Sequence, residues 1–481
     1  MNNRNNTIRN ILRFACGPAM GVAVLVVLFW GELNRDAFGA TQDDLAVPVD
    51  ALIRRLDSPI RNERDDAERA LLERGPDVLP LLPPETMLIS AEVRLRLDRI
   101  RKTLGNKVFL EFLASAPITM PEGRVMLGRV AEELTLQSGN RVEATEGFLD
   151  RVLEWTNPAP MPFWPTVDGI CVLGELRFEQ SLFASEPLSP EKKDLGLIFM
   201  PLEPISELAS EPASDSAIEV PFVQIDYSGP FRIAFRPDWT SSSFTRTESS
   251  SDEPETFRLE TTLWWESRLR IVRLDVPHAN FSGRDATRSR FKARTPDAVL
   301  EIPVDGKALS KIWTLGMEAE DNPAAEDADE STRFEAQFEA IALGRDHDFI
   351  FENAGRYPSV QTFGDATVVL EDVRQTPSGW EFDVRVTYAE GHGVFASHYA
   401  WYYANRAALL SREEGVEGNE RSIEASSSMM DRQFSDGFVM TYVFRRLPEL
   451  RDGVELDGLE DVRFSYRTPA FLRSLRIDTR R

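Results

Sequence analysis

The second half of the chain alternates between apolar and polar residues with a period of two. Three runs lie between residues 231 and 276, and their apolar members are Phe231, Ile233 and Phe235, then Phe257, Leu259 and Leu263, then Val272, Leu274 and Val276. Successive side chains of a strand point to opposite faces, so this alternation predicts half-buried antiparallel strands. We therefore expect a β-sandwich-like domain over residues 220–355.

Residues 356–481 repeat this pattern and predict a second, C-terminal β-sandwich-like domain. The apolar positions of the three runs are Phe382, Val384, Val386 and Tyr388, then Phe438, Met440, Tyr442 and Phe444, then Val462, Phe464 and Tyr466. In the first run Asp383 and Arg385 alternate with these positions, which predicts that both lie on the opposite, wetter face.

Residues 45–106 instead repeat apolar residues three and four positions apart, which predicts helices. The three helical faces consist of Val49, Leu52, Ile53 and Leu56, then Ala67, Ala70 and Leu71, then Val93, Leu97, Ile100 and Leu104. Gly75-Pro76 ends the second helix, and arginines are expected on the remaining sides of the third.

This helical segment resembles a single HEAT-like unit. The resemblance is carried by Arg64–Leu72, Gly75, Val78-Leu79-Pro80 and Glu92-Val93-Arg94. It implies a segment that binds proteins or packs against neighbouring domains, since one such unit alone cannot bury its faces. A generic helical spacer remains the alternative.

Residues 107–202 predict a small α/β module. Its expected strands and helices are Pro117–Met120 as a strand, a helix bearing Leu127, Val130, Ala131 and Leu134, a strand at Arg141–Ala144, a helix at Phe163–Leu173, and strands at Leu176–Gln180 and Leu195–Met200. Gly139 is suited to end the first helix. Phe163 and Trp164 are interpreted as core anchors. Residues 203–219, with Pro204 and Pro212 among Ser and Glu, are typical of a linker.

The order of the module resembles the short N-terminal domain of secretins and TonB-dependent receptors. Its marks are the strand ending in Met120-Pro121, the helix closing on Gln137-Ser138-Gly139 and the strand Arg141–Ala144. The resemblance implies docking to other envelope proteins. No secretin core or receptor membrane domain follows, so the pattern argues against a pore or receptor.

The N-terminus predicts a signal peptide or signal anchor over residues 1–44. Arg4, Arg9 and Arg13 precede an apolar run from Ala15 to Trp30, and no acidic residue comes before Glu32. Arginines ahead of an apolar segment stay cytoplasmic, which places the bulk of the chain outside the cytoplasm. Ala37-Phe38-Gly39 offers a cleavage site, so cleaved export and a retained membrane anchor both remain open.

Composition narrows the class of protein. At 481 residues the chain is too long for one core and predicts three or four domains. The net charge of −24 repels phosphate backbones, so nucleic acid is not an expected partner. Of the two cysteines, Cys16 lies in the apolar run, which leaves no intramolecular disulfide for the folded part. Cys171 is interpreted as a buried, inert thiol.

The C-terminal half resembles uncharacterised exported proteins of planctomycete-type bacteria. The residues that carry this are Trp401–Asn405, Leu409-Leu410 and Tyr466–Ala470. The resemblance implies the same order of helical unit, small α/β module and β-sandwiches, and it implies no activity.

The chain has no recognisable catalytic or metal-binding constellation. His392 and His398 would share a face of an unbroken strand, but a third ligand is missing and Gly391 and Gly393 predict a turn. The acidic residues between Glu318 and Glu330 are typical of a solvated loop, with weak calcium binding as the alternative. Asp452–Gly458 does not fit an EF-hand, and no phosphate-binding, dinucleotide, G-x-S-x-G or H-E-x-x-H motif occurs. No catalytic, cofactor-binding or metal residue is therefore assigned, and no cofactor is expected.

The predicted fold class is multidomain α+β: a signal or anchor helix, a helical HEAT-like segment, a small βα module and two antiparallel β-sandwich-like domains. The function hypothesis is a non-enzymatic envelope scaffold that binds envelope proteins or extracellular polymer. The alternatives are a polysaccharide hydrolase on a β-sandwich and a calcium-dependent adhesion module. A groove holding carboxylates about 5–10 Å apart would favour the hydrolase, and flat closed sandwiches would favour the scaffold.

Overall fold

The computed structural model describes most of the chain after residue 46. The described ranges are 47–83, 90–115, 117–184, 193–202, 224–238, 256–284, 290–305, 308–320, 332–377, 379–396, 399–412, 420–445 and 462–480. The predicted signal segment, the linker at 203–219 and Asp452–Gly458 lie outside them. The described part is mostly β-sheet, in several antiparallel sheets.

The helical segment contains α1 (Val49–Arg55), α2 (Arg61–Glu73) and α3 (Ala91–Leu113), with a 3-10 turn at Pro76–Leu81. The predicted faces form its core, and their buried members are Leu52, Leu56, Ala67, Ala70, Leu71, Val93, Leu97, Ile100 and Leu104. Arg96 of α3 is buried, because its guanidinium bonds Glu68 at 2.6 Å and Asp65 at 2.9 Å on α2.

The helix α3 continues through residue 106, where the sequence analysis divides the chain. Phe109 and Phe112 near its C-terminal end belong to the core of the following module and β-sheet. One continuous helix therefore contributes to two cores.

The small module consists of β1 (Gly123–Met126), α4 (Leu127–Ser138), β2 (Arg141–Ala144), β3 (Val152–Trp155), α5 (Phe163–Gly174), β4 (Leu176–Ala184) and β5 (Lys193–Pro201). The helix α4 ends as predicted, because Gly139 adopts the left-handed conformation with a φ of 70°. Phe163 and Trp164 are fully buried, which confirms them as core residues. The predicted strand at Pro117–Met120 is wrong, since Ile118 makes only an isolated bridge to Met161.

The first large sheet is built from β6 (Gln224–Ser228), β7 (Phe231–Asp238), β8 (Thr256–Trp265), β9 (Arg270–Pro277), β10 (Phe281–Arg284), β11 (Arg290–Ala293), β12 (Val299–Pro303), β13 (Ser310–Ala319) and β14 (Arg333–Leu343). Their order is β12-β9-β14-β10-β11-β13-β8-β7-β6. The sheet curls so that β6 approaches β14. Here the Gln224 side chain accepts from Phe334 N at 2.6 Å and donates to Phe334 O at 2.8 Å.

The remaining strands are β15 (Asp346–Phe351), β16 (Ser359–Phe363), β17 (Ala366–Thr376), β18 (Gly379–Tyr388), β19 (Arg406–Arg412), β20 (Glu420–Glu424), β21 (Ser427–Gln433), β22 (Gly437–Arg445), β23 (Arg463–Pro469) and β24 (Leu472–Asp478). All but β24 form two antiparallel sheets, ordered β15-β23-β19-β20 and β16-β17-β18-β22-β21. The predicted apolar positions of β18, β22 and β23 share one core, which gives the predicted sandwich-like arrangement. We call these two sheets and their core the second sandwich.

Two details of the predicted alternation are wrong. Val272 does not share a core with Leu274 and Val276, because the pairing of β9 with β14 shifts by one residue and Val272 joins the core of the second sandwich. Asp383 is buried, although the alternation predicts that it is exposed to solvent. Its carboxylate accepts from the Arg374 guanidinium at 2.5 and 3.0 Å and from Thr441 Oγ1 at 2.7 Å.

The last strand, β24, leaves the second sandwich and pairs with β14 of the first large sheet over seven residues. Just before it, Phe471 packs on Phe109 of α3 with ring centroids 5.7 Å apart and on Phe363 at 6.4 Å. Arg473 pairs with Asp365 through two bonds of 2.7 Å. We call Phe109, Phe363, Asp365, Phe471 and Arg473 the junction cluster, because they join the helical segment and both β units.

Candidate functional site

Four charged side chains form a row across the outer face of the first large sheet. The strand register places Glu301 of β12 opposite Asp275 of β9, Asp275 opposite Glu339 of β14, and Glu339 opposite Arg476 of β24. Residues directly opposite in antiparallel strands have Cβ atoms about 4.5–5.5 Å apart on the same face. We call these four residues, three carboxylates and one arginine, the carboxylate row.

Part of this row lines an open depression of ≈ 250 Å³. Its walls include Asp275, Glu339 and Arg476 together with the amides Asn280 and Gln337. The depression therefore offers both hydrogen-bond donors and acceptors. Pro277 and Phe338 complete its lining, so polar and apolar side chains face the same depression.

Hydrogen bonds from an arginine and a serine offset the repulsion expected among the three neighbouring carboxylates. Arg273 donates to Asp275 Oδ2 at 2.7 Å, and Ser474 donates to Glu339 Oε2 at 2.6 Å. Burial would lower the pKa of Arg273, but its hydrogen bond to Asp275 and the charge of that carboxylate raise the pKa above its usual value. Within the described residues, the buried Asp275 Oδ1 has no hydrogen-bond partner.

The row lies beside the contact between the two β units. Arg273 also hydrogen-bonds Tyr399 of the second sandwich. Burial raises the pKa of Tyr399, and the negative charges of Glu301 and Asp275 raise it further, against the opposing effect of Arg273. Tyr399 therefore remains a neutral phenol beside the carboxylates at neutral pH.

A second polar cluster joins the α/β module to the first sheet. Glu266 is fully buried and accepts from Ser115 Oγ at 2.7 Å, Asn140 Nδ2 at 2.9 Å and Arg268 Nε at 2.8 Å. Glu266 and Arg268 lie in the connection between β8 and β9, whereas Ser115 follows α3 and Asn140 lies between α4 and β2. Such a cluster holds the module against the sheet and leaves its carboxylate shielded from solvent.

A third cluster surrounds Asp168 of α5. The carboxylate accepts from Tyr227 OH at 2.6 Å and from Arg232 Nε at 2.8 Å. Cys171, one helical turn further on, has its pKa raised to about 12 by burial and by the charge of Asp168. The thiol therefore stays protonated at neutral pH, in agreement with its interpretation as inert.

The histidines are dispersed. His392 lies in a turn with a φ of 47°, close to Glu390, so the turn expected from Gly391 and Gly393 is present. His398 lies outside the described residues. His278 bonds Thr295 Oγ1 at 2.8 Å, and His347 stacks on Phe363 with ring centroids 3.8 Å apart. Over the described ranges, no three His, Cys, Asp or Glu side chains are grouped so that they could hold a metal ion.

Most of the acidic segment between Glu318 and Glu330 lies outside the described residues. Glu318 itself is on β13 and lies 3.8 Å from Lys292 Nζ. In the part of the chain that the structure describes, no helix has the length and apolar character needed to cross a membrane.

Sequence reasoning did not single out any member of the carboxylate row. Each of the four lies in an ordinary alternating strand, separated by 26 to 201 positions from the other members. Their proximity depends on the order β12-β9-β14-β24, which no local pattern reveals. The available signal was that each of the four is a polar residue at a position whose side chain points away from the core in an alternating strand.

Comparison with protein-family models gives no match to this chain, and comparison with curated proteins finds no significant relative.

Proposed function

We propose that this protein is a non-enzymatic scaffold of the cell envelope, which binds other envelope proteins or extracellular polymer through its modules. The observation that supports it is the interlocking of the modules. The helix α3 contributes to two cores, and β24 returns from the second sandwich to the first sheet. Modules fixed in this way present their surfaces at constant separation, which is what a scaffold requires.

The proposal also assigns a type to each module. Helices α1 to α3 form a HEAT-like unit, and residues 107–202 form a docking module similar to the short N-terminal domain of secretins and TonB-dependent receptors. The two β units extend the scaffold away from the anchor. The whole order follows that of exported proteins of planctomycete-type bacteria.

The distribution of charge supports an envelope placement with the β units outermost. Residues 1–115 contain 16 basic and 16 acidic side chains, so the formal charge of −24 lies in residues 116–481. An anionic lipid surface repels an acidic domain within about a Debye length, roughly 8–10 Å. The neutral helical segment is therefore the part best suited to lie next to the membrane.

The topology is tested by a reporter that is active only in the cytoplasm, fused after residue 45. We expect the fusion to be silent and the full chain to fractionate with the envelope, because the apolar run at Val22–Trp30 follows three arginines. The matched control replaces Leu25 and Val26 by aspartate, which should restore reporter activity. Full activity of the unaltered fusion would contradict the proposed location.

A second candidate function is hydrolysis of extracellular polysaccharide. It is favoured by Asp275 and Glu339, which stand opposite each other in a depression with amide donors. The Cβ atoms of such a cross-strand pair lie about 4.5–5.5 Å apart, which brings two carboxylates together on one face, as a glycosidase requires. The same depression serves a scaffold equally well as a place to hold a sugar without cleaving it.

Release of reducing ends from envelope polysaccharides separates the two candidates. For a scaffold we expect no release above that of a blank. Release that is abolished in both Asp275→Asn and Glu339→Gln but retained in Glu335→Gln would replace the scaffold by a hydrolase. Glu335 is a suitable control because it lies on the same strand as Glu339, four residues away, and outside the lining of the depression.

A further inference from the structure

One aromatic residue packs against all three hydrophobic cores that the described residues form. Phe363 packs against the core of the helical segment, the core shared by the module and first sheet, and the core of the second sandwich. On it lies the imidazole of His347 from β15, with the ring planes 10° apart and their centroids 3.8 Å apart. Phe349 contacts the same imidazole edge-on at 4.9 Å.

From this geometry we propose that His347 is a pH-sensitive switch, whose protonation in mild acid loosens the contact between the three cores. Neutral imidazole stacks on Phe363 as an aromatic ring. An imidazolium at the same place must lose water to keep that contact. The inference is independent of the proposed scaffold function, since it concerns how the cores are held together.

The charged groups around His347 do not offer it a free counter-ion. On its own strand Asp346 is paired with Arg270, and Asp348 is paired with Arg467 of β23 at 2.7 Å. Beyond Phe363, the carboxylate of Asp365 is paired with Arg473 at 2.7 Å. Thr468, directly opposite His347 on β23, is uncharged. Each of these carboxylates already has an arginine partner.

Two effects act on the charged ring in opposite directions. A cation over the face of Phe363 is attracted to it, and Asp348 also favours the charge. Burial disfavours the charge, and it is the larger effect, because the pKa of His347 is lowered from its ordinary value. The folded state therefore takes up its proton at lower pH than the unfolded state does.

The direction of the pH dependence follows from this shift. Above the ordinary histidine pKa of about 6.5 the ring is neutral in both states and has no linkage effect. As the pH falls through that value, the unfolded state binds the proton first and the folded state loses stability. The loss is complete once the pH is below the folded-state pKa.

The test compares the full chain with its His347→Phe variant, which keeps an aromatic ring on Phe363 and cannot titrate. Tm is measured between about pH 7.5 and about pH 5.5, the range in which an ordinary histidine changes charge. We expect the unaltered chain to lose a few degrees more than His347→Phe over this range. Effects of the overall acidic charge are common to both proteins and cancel. His278→Gln is the matched control and should behave like the unaltered chain.

Two local measurements complete the experiment. Amide exchange should increase in acid, relative to the intrinsic rates, at Gly344 and Asp365, whose N–H groups bond Phe471 O and Ala470 O. The NMR titration of His347 in the unaltered chain should fall below that of an ordinary histidine, whether or not the variant folds. Parallel Tm curves for the unaltered chain and His347→Phe, or a His347 titration at or above the ordinary value, would overturn the proposal.

Discussion

Replacing Phe471 by alanine is expected to lower the free energy of unfolding by about 3–5 kcal/mol. The side chain is only 2% exposed and lies between Phe109 of α3 and Phe363 of β16. Its removal leaves a cavity bordered by two different units of the fold. Neither unit can close that cavity without moving relative to the other, so relaxation recovers little of the lost contact energy.

The measurement is urea unfolding of the full chain in a mild detergent, with Phe434→Ala as the matched control. Phe434 is 37% exposed beside β21 and has the Arg385 guanidinium 5.9 Å from its ring, so the same substitution should cost less there, about 1–2 kcal/mol. Equal costs for the two variants would show that the junction cluster does not hold the cores together. A second unfolding transition that appears only in Phe471→Ala would instead show that it does.

The backbone around Phe471 explains why this contact has no simple substitute. Gly364 has a φ of 64°, and a Cβ at this position would collide with Ala470 O. A glycine is therefore required where the turn after β16 meets the segment that leads into β24. The close approach of these two backbones also places Asp365 where it can pair with Arg473.

Local sequence patterns were sufficient to predict helices and strands whose ends are determined by neighbouring residues. The helix α4 and strand β2 were predicted closely. Apolar residues spaced three and four positions apart stop before Gly139, and polar and apolar residues alternate from Arg141 onward. The predicted faces of the three N-terminal helices are likewise buried, except for Val49 and Ile53, which are partly buried against the same core. In each case the period of the apolar residues, together with a glycine or proline, contains the information.

Features set by distant partners could not be predicted in this way. Val272 is apolar like Leu274 and Val276, but the core into which its side chain points depends on a register shift next to Ile341 of β14. The return of β24 to the first sheet depends on pairing with residues more than a hundred positions earlier. The carboxylate row also depends on distant partners, because it exists only when β12, β9, β14 and β24 lie side by side.

Asp383 shows the same limit within a single strand. Period two correctly placed it on the face opposite Val384, but could not show that this face is also covered. Its partners Arg374 and Thr441 come from the two neighbouring strands, β17 and β22. A charged residue in a polar position is therefore buried through hydrogen bonds and ion pairing instead of apolar contact.

The last prediction concerns this strand, where burial on the two faces differs in kind. Val384→Asp places a carboxylate in the buried core between Leu370 and Met440 and should cost at least roughly 3 kcal/mol after any shift of its pKa. Asp383→Ala leaves Arg374 and Thr441 without their shared acceptor and should cost about 1–3 kcal/mol. Arg385→Ala should cost within about 1 kcal/mol, because the Arg385 side chain, which pairs with Glu371, is 42% exposed.

Urea unfolding must again use the full chain, because a fragment starting at Gly355 would separate the second sandwich from Val272, Ile341 and Leu343, which belong to its core. The expected order of cost is Val384→Asp, then Asp383→Ala, then Arg385→Ala. Asp383→Asn is the matched control. It keeps the shape and one acceptor oxygen, so it should fall between Asp383→Ala and the unaltered chain. Equal costs for Val384→Asp and Arg385→Ala would mean that β18 does not present one face to the sandwich core, since only a strand with two unlike faces separates neighbouring positions in this way.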